Sequence, residues 1–264
     1  MNAWKSQNLM NNRVAIVTGS TKGIGRAIAY KLAQDGNTVI VTGRDIQLGE
    51  EVVFEIRNKG GEAHFFRVDL SILTEVETFC HAFSKQFYRL DILVNNAGIS
   101  GHMGPIITTP LSQLSSVFRV NVESIFLMCQ KLIPLMEKGD HGRIINISSI
   151  AYRLNPANSG TYNMSKAALN AFTQTLAKEV GPLGITVNAI APGLILTERI
   201  QNERLPGLAL KAGISIHDMQ MELTKGTSTR QLTTPEDIAS MVTFLSSLEA
   251  GSITGEIINI SAGV

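Results

Sequence analysis

Seven short β-branched runs, alternating with longer stretches that show helical spacing of apolar residues, leave this chain very few ways to fold. Val14 to Thr18, Thr38 to Thr42, His64 to Val68, Ile92 to Val94, Arg143 to Ile147, Ile185 to Ile190 and Glu256 to Ile260 read as strands. Most are apolar at every position rather than at alternate ones, as in strands covered by helices on both faces. The stretches between them, Gly25 to Gln34, Leu48 to Asn58, Thr74 to Phe87, Leu111 to Glu137, Tyr162 to Val180 and Pro235 to Leu248, are amphipathic and read as helices. The last opens on Thr234-Pro235-Glu236-Asp237: a capping threonine, a proline in the first turn, then acids at the positive end of the dipole. Strand–helix alternation of this kind predicts an α/β domain built on a doubly wound, seven-stranded parallel sheet.

A length of 264 residues suits one large domain, with core enough to need neither disulfide nor metal. The formal net charge of +1 offers no field for nucleic acid or an anionic membrane. No run approaches the roughly 18 apolar residues of a membrane span. Residues 1–12 form a polar N-terminal extension without an apolar signal core, so a cytoplasmic location is expected. Cys80 and Cys129 lack any CxxC or His-rich context and read as buried free thiols. Five scattered histidines form no ligand pattern, and no metal is expected. One domain then covers residues 13–264. Within it, Leu194 to Gly226 shows no clear strand and has the length of a substrate lid.

The first strand runs into Thr18-Gly19-Ser20-Thr21-Lys22-Gly23-Ile24-Gly25 and then directly into a helix. Glycines at such a turn let the backbone approach a pyrophosphate and aim free N–H groups at it. After the second strand comes Arg44, where enzymes using NAD place an acid for the adenosine ribose. An arginine there can pair with a 2′-phosphate, and Lys22 adds a second cation, so NADP(H) is the expected cofactor. Asp45 keeps NAD open.

Tyr162 and Lys166 stand at i and i+4 near a helix start and share a face. A lysine beside a phenol is expected to lower its pKa toward working pH, as a proton donor to a nascent alkoxide requires. Ser148 and Ser149 close the fifth strand, where ligands of open α/β sheets collect, and a serine there can hold a substrate oxygen. Asn121 lies inside a helical stretch that does not favour it.

Taken in order, Thr18-Gly19-(x)3-Gly23-Ile24-Gly25, Asn95-Asn96-Ala97-Gly98, Ser149, Tyr162-(x)3-Lys166 and Pro192-Gly193 resemble the short-chain dehydrogenase/reductase superfamily. Within it the chain is similar to single-domain enzymes of the 3-oxoacyl-[acyl-carrier-protein] reductase type, from about Arg13 to Gly263. The resemblance implies a Rossmann fold and a catalytic set of Asn121, Ser149, Tyr162 and Lys166. Tyr162 would be the general acid/base, Lys166 would hold the nicotinamide ribose, Ser149 would position the carbonyl and Asn121 would anchor a proton-relaying water. Ser149 is preferred to Ser148 because the family's serine usually stands 13 positions before its tyrosine, as here. The implied cofactor contacts are Gly19, Ser20, Thr21, Lys22, Gly23, Ile24, Gly25, Arg44, Asp69, Leu70, Asn96, Ala97, Gly98, Tyr162, Lys166, Pro192, Gly193, Ile195 and Thr197. The implied activity is that of an NADP(H)-dependent carbonyl reductase or alcohol dehydrogenase acting on a small molecule. A homotetramer or homodimer through the Leu111–Glu137 and Tyr162–Val180 helices is also implied.

Two features bear on the substrate. Carrier-protein reductases tend to be basic at two positions occupied here by Asp140 and Leu183, which argues against an acidic carrier. Arg153, Arg199 and Arg204 are candidates for meeting an anionic group. The other readings are an NAD-linked sugar or steroid alcohol dehydrogenase and a non-catalytic dinucleotide-binding regulator. The joint presence of Asn121, Ser149, Tyr162 and Lys166 weighs against the second.

Overall fold

A computed structural model describes residues 13–137, 141–198 and 200–264, with 203 and 204 described in their backbone alone. The extension over residues 1–12, Asp140, Arg199 and the side chain of Arg204 therefore fall outside the described residues.

Seven parallel strands form one sheet in the order β3-β2-β1-β4-β5-β6-β7. They are β1 (Val14–Val17), β2 (Thr38–Gly43), β3 (Glu62–Arg67), β4 (Ile92–Asn95), β5 (Arg143–Ile147), β6 (Thr186–Pro192) and β7 (Ile257–Ile260). The chain winds outward from β1 to β3, then returns past β1 to β4 and winds the other way. That reversal opens a crevice at the carboxyl ends of β1 and β4, the place where such sheets bind ligands.

Alternation along each strand feeds two cores. Val14 and Ile16 of β1 join one cluster, whereas Ala15 and Val17 join the other. The first packs under α3 (Leu73–Gln86), α5 (Ser124–Met136) and α7 (Gly160–Val180), through residues such as Phe83, Met128, Leu132 and Leu169, while α4 (Leu111–Phe118) leads into α5. The second packs under α1 (Gly23–Gln34), α2 (Ile46–Asn58) and α10 (Pro235–Ser246), through Ile28, Leu32, Ile56 and Val242. Thr234 caps α10 as anticipated, and Asp237 makes the cap reciprocal by accepting the Thr234 N–H. Cys80 and Cys129 are buried free thiols, both pushed up to about 12 by burial.

Three segments differ from the sequence pattern. The helix expected over Leu111 to Glu137 is interrupted between α4 and α5 by a π turn, Arg119–Glu123, with Asn121 fully buried at its centre. A four-residue helix, α6 (Ala151–Leu154), follows β5. The Leu194–Gly226 segment contains a π turn and two short helices, α8 (Leu205–Ala212) and α9 (Ile216–Lys225). Among its described residues it carries no strand, only a bridge from Ile195 to Thr233.

Candidate active site

The glycine turn between β1 and α1 is shaped by contacts that exclude side chains. Gly19 and Gly23 have φ of 61° and 56°, in the left-handed region that glycine enters without strain. A Cβ at Gly25 would lie 2.4 Å from the Gly19 carbonyl oxygen, so the helix can begin this close to the turn only with glycine there. Lys22 is exposed, whereas Thr21 is buried against Gly43. Ser20 departs from its expected role. Its hydroxyl donates to the Val17 carbonyl at 2.7 Å and accepts the Thr42 N–H at 3.0 Å, and its own N–H donates to the Thr42 carbonyl. With no exposed surface, Ser20 ties β1 to β2 and shapes the cradle without lining it.

The Asn95–Gly98 segment locks onto this turn. Thr18 Oγ1 accepts the N–H groups of Asn96 (2.9 Å) and Ala97 (3.0 Å), and the Asn96 amide donates to the Thr18 and Gly19 carbonyls. A Cβ on Gly19 would touch that of Ala97 at 3.0 Å, and one on Gly98 would lie 3.2 Å from Asn121 Oδ1 and 3.5 Å from Lys166 Nζ. The glycine turn, the end of β4 and the side chains of Asn121 and Lys166 are therefore packed against one another.

At the end of β2, Arg44 is 74% exposed and lies 3.9 Å from Asp69 Oδ2. Burial raises the Asp69 pKa, but hydrogen bonds from the Ser71 hydroxyl and N–H, with Arg44 and Arg67, outweigh it and hold the carboxyl below its ordinary value. Leu70 is buried in the core, which leaves only its backbone for a ligand. Asp45 is occupied as the cap of α2, accepting the Leu48 N–H at 3.1 Å.

Beyond β5, Ser149 is half-buried and hydrogen-bonded to the Tyr162 phenol. The neighbouring Ser148 is buried, and its hydroxyl finds no partner among the described residues. Lys166 is fully enclosed, donates to the Ile147 carbonyl at 2.7 Å, and lies 5.7 Å from the centre of the Tyr162 ring. Burial depresses its pKa to about 8. The expectation that this lysine lowers the tyrosine pKa is corrected: burial raises the phenol, and the hydrogen bond from Ser149 only partly opposes it. Removing water destabilises a phenolate more than a neighbouring ammonium committed to a carbonyl restores.

The Asn121 side chain is spent on structure. Oδ1 accepts the Ile99 N–H at 2.8 Å, and Nδ2 donates to the Ile99 carbonyl (2.9 Å) and to Ser165 Oγ (3.0 Å). Any water it anchors must be held by its backbone, and a π turn, by shifting the helical ladder one residue, is a place where a carbonyl can be spared. Ser165, whose hydroxyl donates to the Tyr162 carbonyl, is given no role by the sequence, and Thr18 only a place in the glycine motif, because a lone serine or threonine carries no signal of its own.

After β6 the implied contacts divide. Pro192 is buried and accepts the Ile150 N–H, Gly193 donates to the Ile260 carbonyl, and Ile195 belongs to the core. Thr197 alone of the four faces the turn, its Cγ2 lying 3.6 Å from where a Cβ on Gly23 would be. Arg153 is exposed and donates from one Nη to the Val264 carbonyl at 2.6 Å, which leaves the rest of its guanidinium open.

Residues 13–208 match the family described as short chain dehydrogenase. The 3-oxoacyl-[acyl-carrier-protein] reductase of Aquifex aeolicus (strain VF5) is 37% identical over 260 residues, 97% of this chain and 98% of the relative. The 7alpha-hydroxysteroid dehydrogenase of Escherichia coli (strain K12) is 33% identical, covering 98% of this chain and 97% of the relative. L-Sorbose reductase from Gluconobacter frateurii, solved with NADPH and L-sorbose, superposes with a TM-score of 0.91 at 28% identity, covering 96% of this chain and 97% of that one. Relatives that run the length of the chain, and a family match that spans the glycine turn through α7, show that this protein belongs to the short chain dehydrogenase family of oxidoreductases.

Proposed function

We propose that the protein is an NADP(H)-dependent carbonyl reductase that delivers a proton from Tyr162 to the oxygen of a ketone or aldehyde. The observation that carries this reading is the convergence of Ser149, Tyr162 and Lys166 beside Gly98, in the segment that locks onto the glycine turn.

The residues present fit a dinucleotide. Gly23 leaves a gap toward Thr197 that a side chain would fill, Gly98 leaves one toward Asn121 and Lys166, and Arg44 and Lys22 offer exposed cations at the adenosine end. The pyrophosphate would be held by the turn, the adenine by Asp69, and the nicotinamide ribose by Lys166. Bound NADPH supplies the hydride. The chain's own groups then handle the oxygen. Ser149 can donate a hydrogen bond to it, and Tyr162, kept protonated by burial, gives up its proton as negative charge develops there. Lys166 stabilises the tyrosinate so formed. The 194–226 segment would close over the substrate. Half-exposed Phe126 on α5, 5.9 Å from Phe172 on α7, provides an apolar face for a homodimer or homotetramer.

For the substrate, the relatives described above are named for a 3-oxoacyl group on a carrier protein, a 7alpha-hydroxysteroid and L-sorbose. Leu183 is exposed and uncharged, which gives an acidic carrier protein nothing to pair with there. Small ketones are accordingly the first panel to test with NADPH. On that panel NADPH outperforms NADH, and Arg44→Ala raises the NADPH KM about tenfold with little effect on NADH, the loss of one charge-assisted phosphate pair. Equal use of both dinucleotides by the wild type, with an indifferent mutant, favours the NAD-linked alcohol dehydrogenase instead. The occupation of Asp45 as a helix cap is what weighs against that alternative.

The pH dependence follows from the two pKa shifts. Below about 8 Lys166 is charged and above it neutral, while Tyr162 remains protonated beyond its ordinary range. Reduction needs both protons in place. The free-enzyme profile, kcat/KM for ketone reduction, is therefore level near neutrality and falls as the pH rises through about 8. A profile that stays level to about pH 10, the ordinary range of both groups, contradicts this assignment.

A further inference from the structure

We propose that Asn146 and Thr173 are positioning residues that fix where Tyr162 and Lys166 stand relative to β5. This rests on the catalytic reading of those two residues.

The observation is a buried polar chain that the reaction does not use. The Asn95 amide donates to Asn146 Oδ1 at 2.8 Å, Asn146 Nδ2 donates to Thr173 Oγ1 at 2.9 Å, and the Thr173 hydroxyl donates to the Leu169 carbonyl at 2.8 Å. Asn146 and Thr173 have no exposed surface, and the surrounding core is apolar, with Ile144, Leu169, Leu176 and Cys129. Hydrocarbon at these positions would pack without any need for matched donors and acceptors. The chain of amides instead requires Asn95, Asn146 and Thr173 to stay within hydrogen-bond reach of one another, since a buried amide group without a partner, as Asn95 Oδ1 is among the described residues, is costly.

That arrangement bears on the catalytic helix. Thr173 follows Lys166 by seven residues on α7, two helical turns and about 10 Å along the same face. Asn146 precedes Ile147 on β5, whose carbonyl receives the Lys166 ammonium. The helix is thus tied to one strand at two points: Lys166 to Ile147 at the catalytic end and Thr173 to Asn146 in the core. A third tie joins Ser165 to Asn121. A one-residue slide of α7 would swing Thr173 about 100° away from Asn146, and a one-residue slip of β5 would turn Asn146 to the opposite face of the sheet. Asn95 extends the tie to β4, in register with Asn146. The sheet end that carries Gly98 and the helix that carries the proton donor are thereby set against each other.

The test uses the full chain with NADPH and the best ketone of the panel, comparing wild type, Thr173→Val, Thr173→Ser and Tyr162→Phe. Thr173→Val keeps the shape and removes the hydroxyl. It lowers kcat about tenfold, displaces the pH midpoint of kcat/KM, and leaves the NADPH Kd within about twofold, as expected when reacting groups move by a fraction of an ångström. Thr173→Ser, which restores the hydroxyl, returns both kcat and the midpoint to within about twofold of wild type. A wild-type kcat and midpoint in Thr173→Val, or a loss that serine does not repair, overturns the proposal. Should Thr173→Val fail to give the wild-type circular dichroism, Thr173→Ala takes its place in the same comparison. An active Tyr162→Phe overturns the catalytic reading itself, whereas an inactive Tyr162→Phe beside an unaffected Thr173→Val overturns only the positioning role.

Discussion

Tyr162→Phe lowers kcat for carbonyl reduction by roughly 10²–10⁴-fold, the usual contribution of a positioned general acid, and changes the NADPH Kd little. The substitution removes one oxygen and leaves the ring in its packed position, so binding surfaces survive. What is lost is the proton that must reach the substrate oxygen as charge develops on it. At 1.36 kcal/mol per decade, the expected loss corresponds to about 3–5 kcal/mol of transition-state stabilisation. Because burial keeps this phenol protonated and Ser149 is already hydrogen-bonded to it, the neutral acid is in place before substrate arrives. Ser149→Ala should cost less, because a neutral hydrogen bond is removed while the proton source remains. Steady-state kinetics on the ketone panel, with NADPH binding followed by fluorescence, decides the matter. Turnover by Tyr162→Phe within twofold of wild type would falsify the proton-donor assignment.

The sequence makes the frame of this site readable, because its signals are local. Continuous apolar strands, the turn from Gly19 to Gly25 and the i, i+4 spacing of Tyr162 and Lys166 all act within a few residues, and each lies where the pattern put it. What was not readable depends on partners far along the chain. Ser20 faces inward because Thr42, 22 positions away, takes its hydroxyl, and nothing in the turn itself reveals that. The π turn around Asn121 adds one residue to a helical cycle, a change too small to disturb apolar periodicity over 27 residues from Leu111 to Glu137. Helix α6 spans four residues, barely one turn, so it has no periodicity to detect. The direction of the Tyr162 pKa reverses for the same reason. Spacing locates the lysine beside the phenol, but burial, a property of the whole fold, contributes the larger effect.

The largest expected effect on stability lies at the opposite end of the strands from the chemistry, just before the central strand β4. Asp91→Ala destabilises the protein by about 3 kcal/mol, the cost of removing a buried carboxylate that pairs with the partly exposed Arg89 and accepts a buried N–H. Asp91 is 3% exposed and opens β4, where Oδ2 accepts the Val14 N–H at 2.8 Å and the carboxylate receives the Arg89 guanidinium. Two further arginines are buried beside it. Arg13 donates to the Ser246 carbonyl at 2.6 Å and Arg143 to the Ser247 carbonyl at 3.2 Å, both at the C-terminal end of α10, where the helix dipole favours cations. Burial is the largest influence on Arg13 and lowers it to about 10; Asp91 opposes that shift, while Arg143 and Arg89 add to it. Removing the carboxylate would therefore leave mutually repelling cations in a site poor in water. Asp91→Asn, which can still accept from Val14 but carries no charge, should lose less, and the difference between the two variants separates charge from hydrogen bond. For a chain of this size the alanine variant corresponds to a fall in Tm of about 10 °C. A thermal melt in which Asp91→Ala unfolds within about 2 °C of wild type would show that the arginines are held in place without this carboxylate.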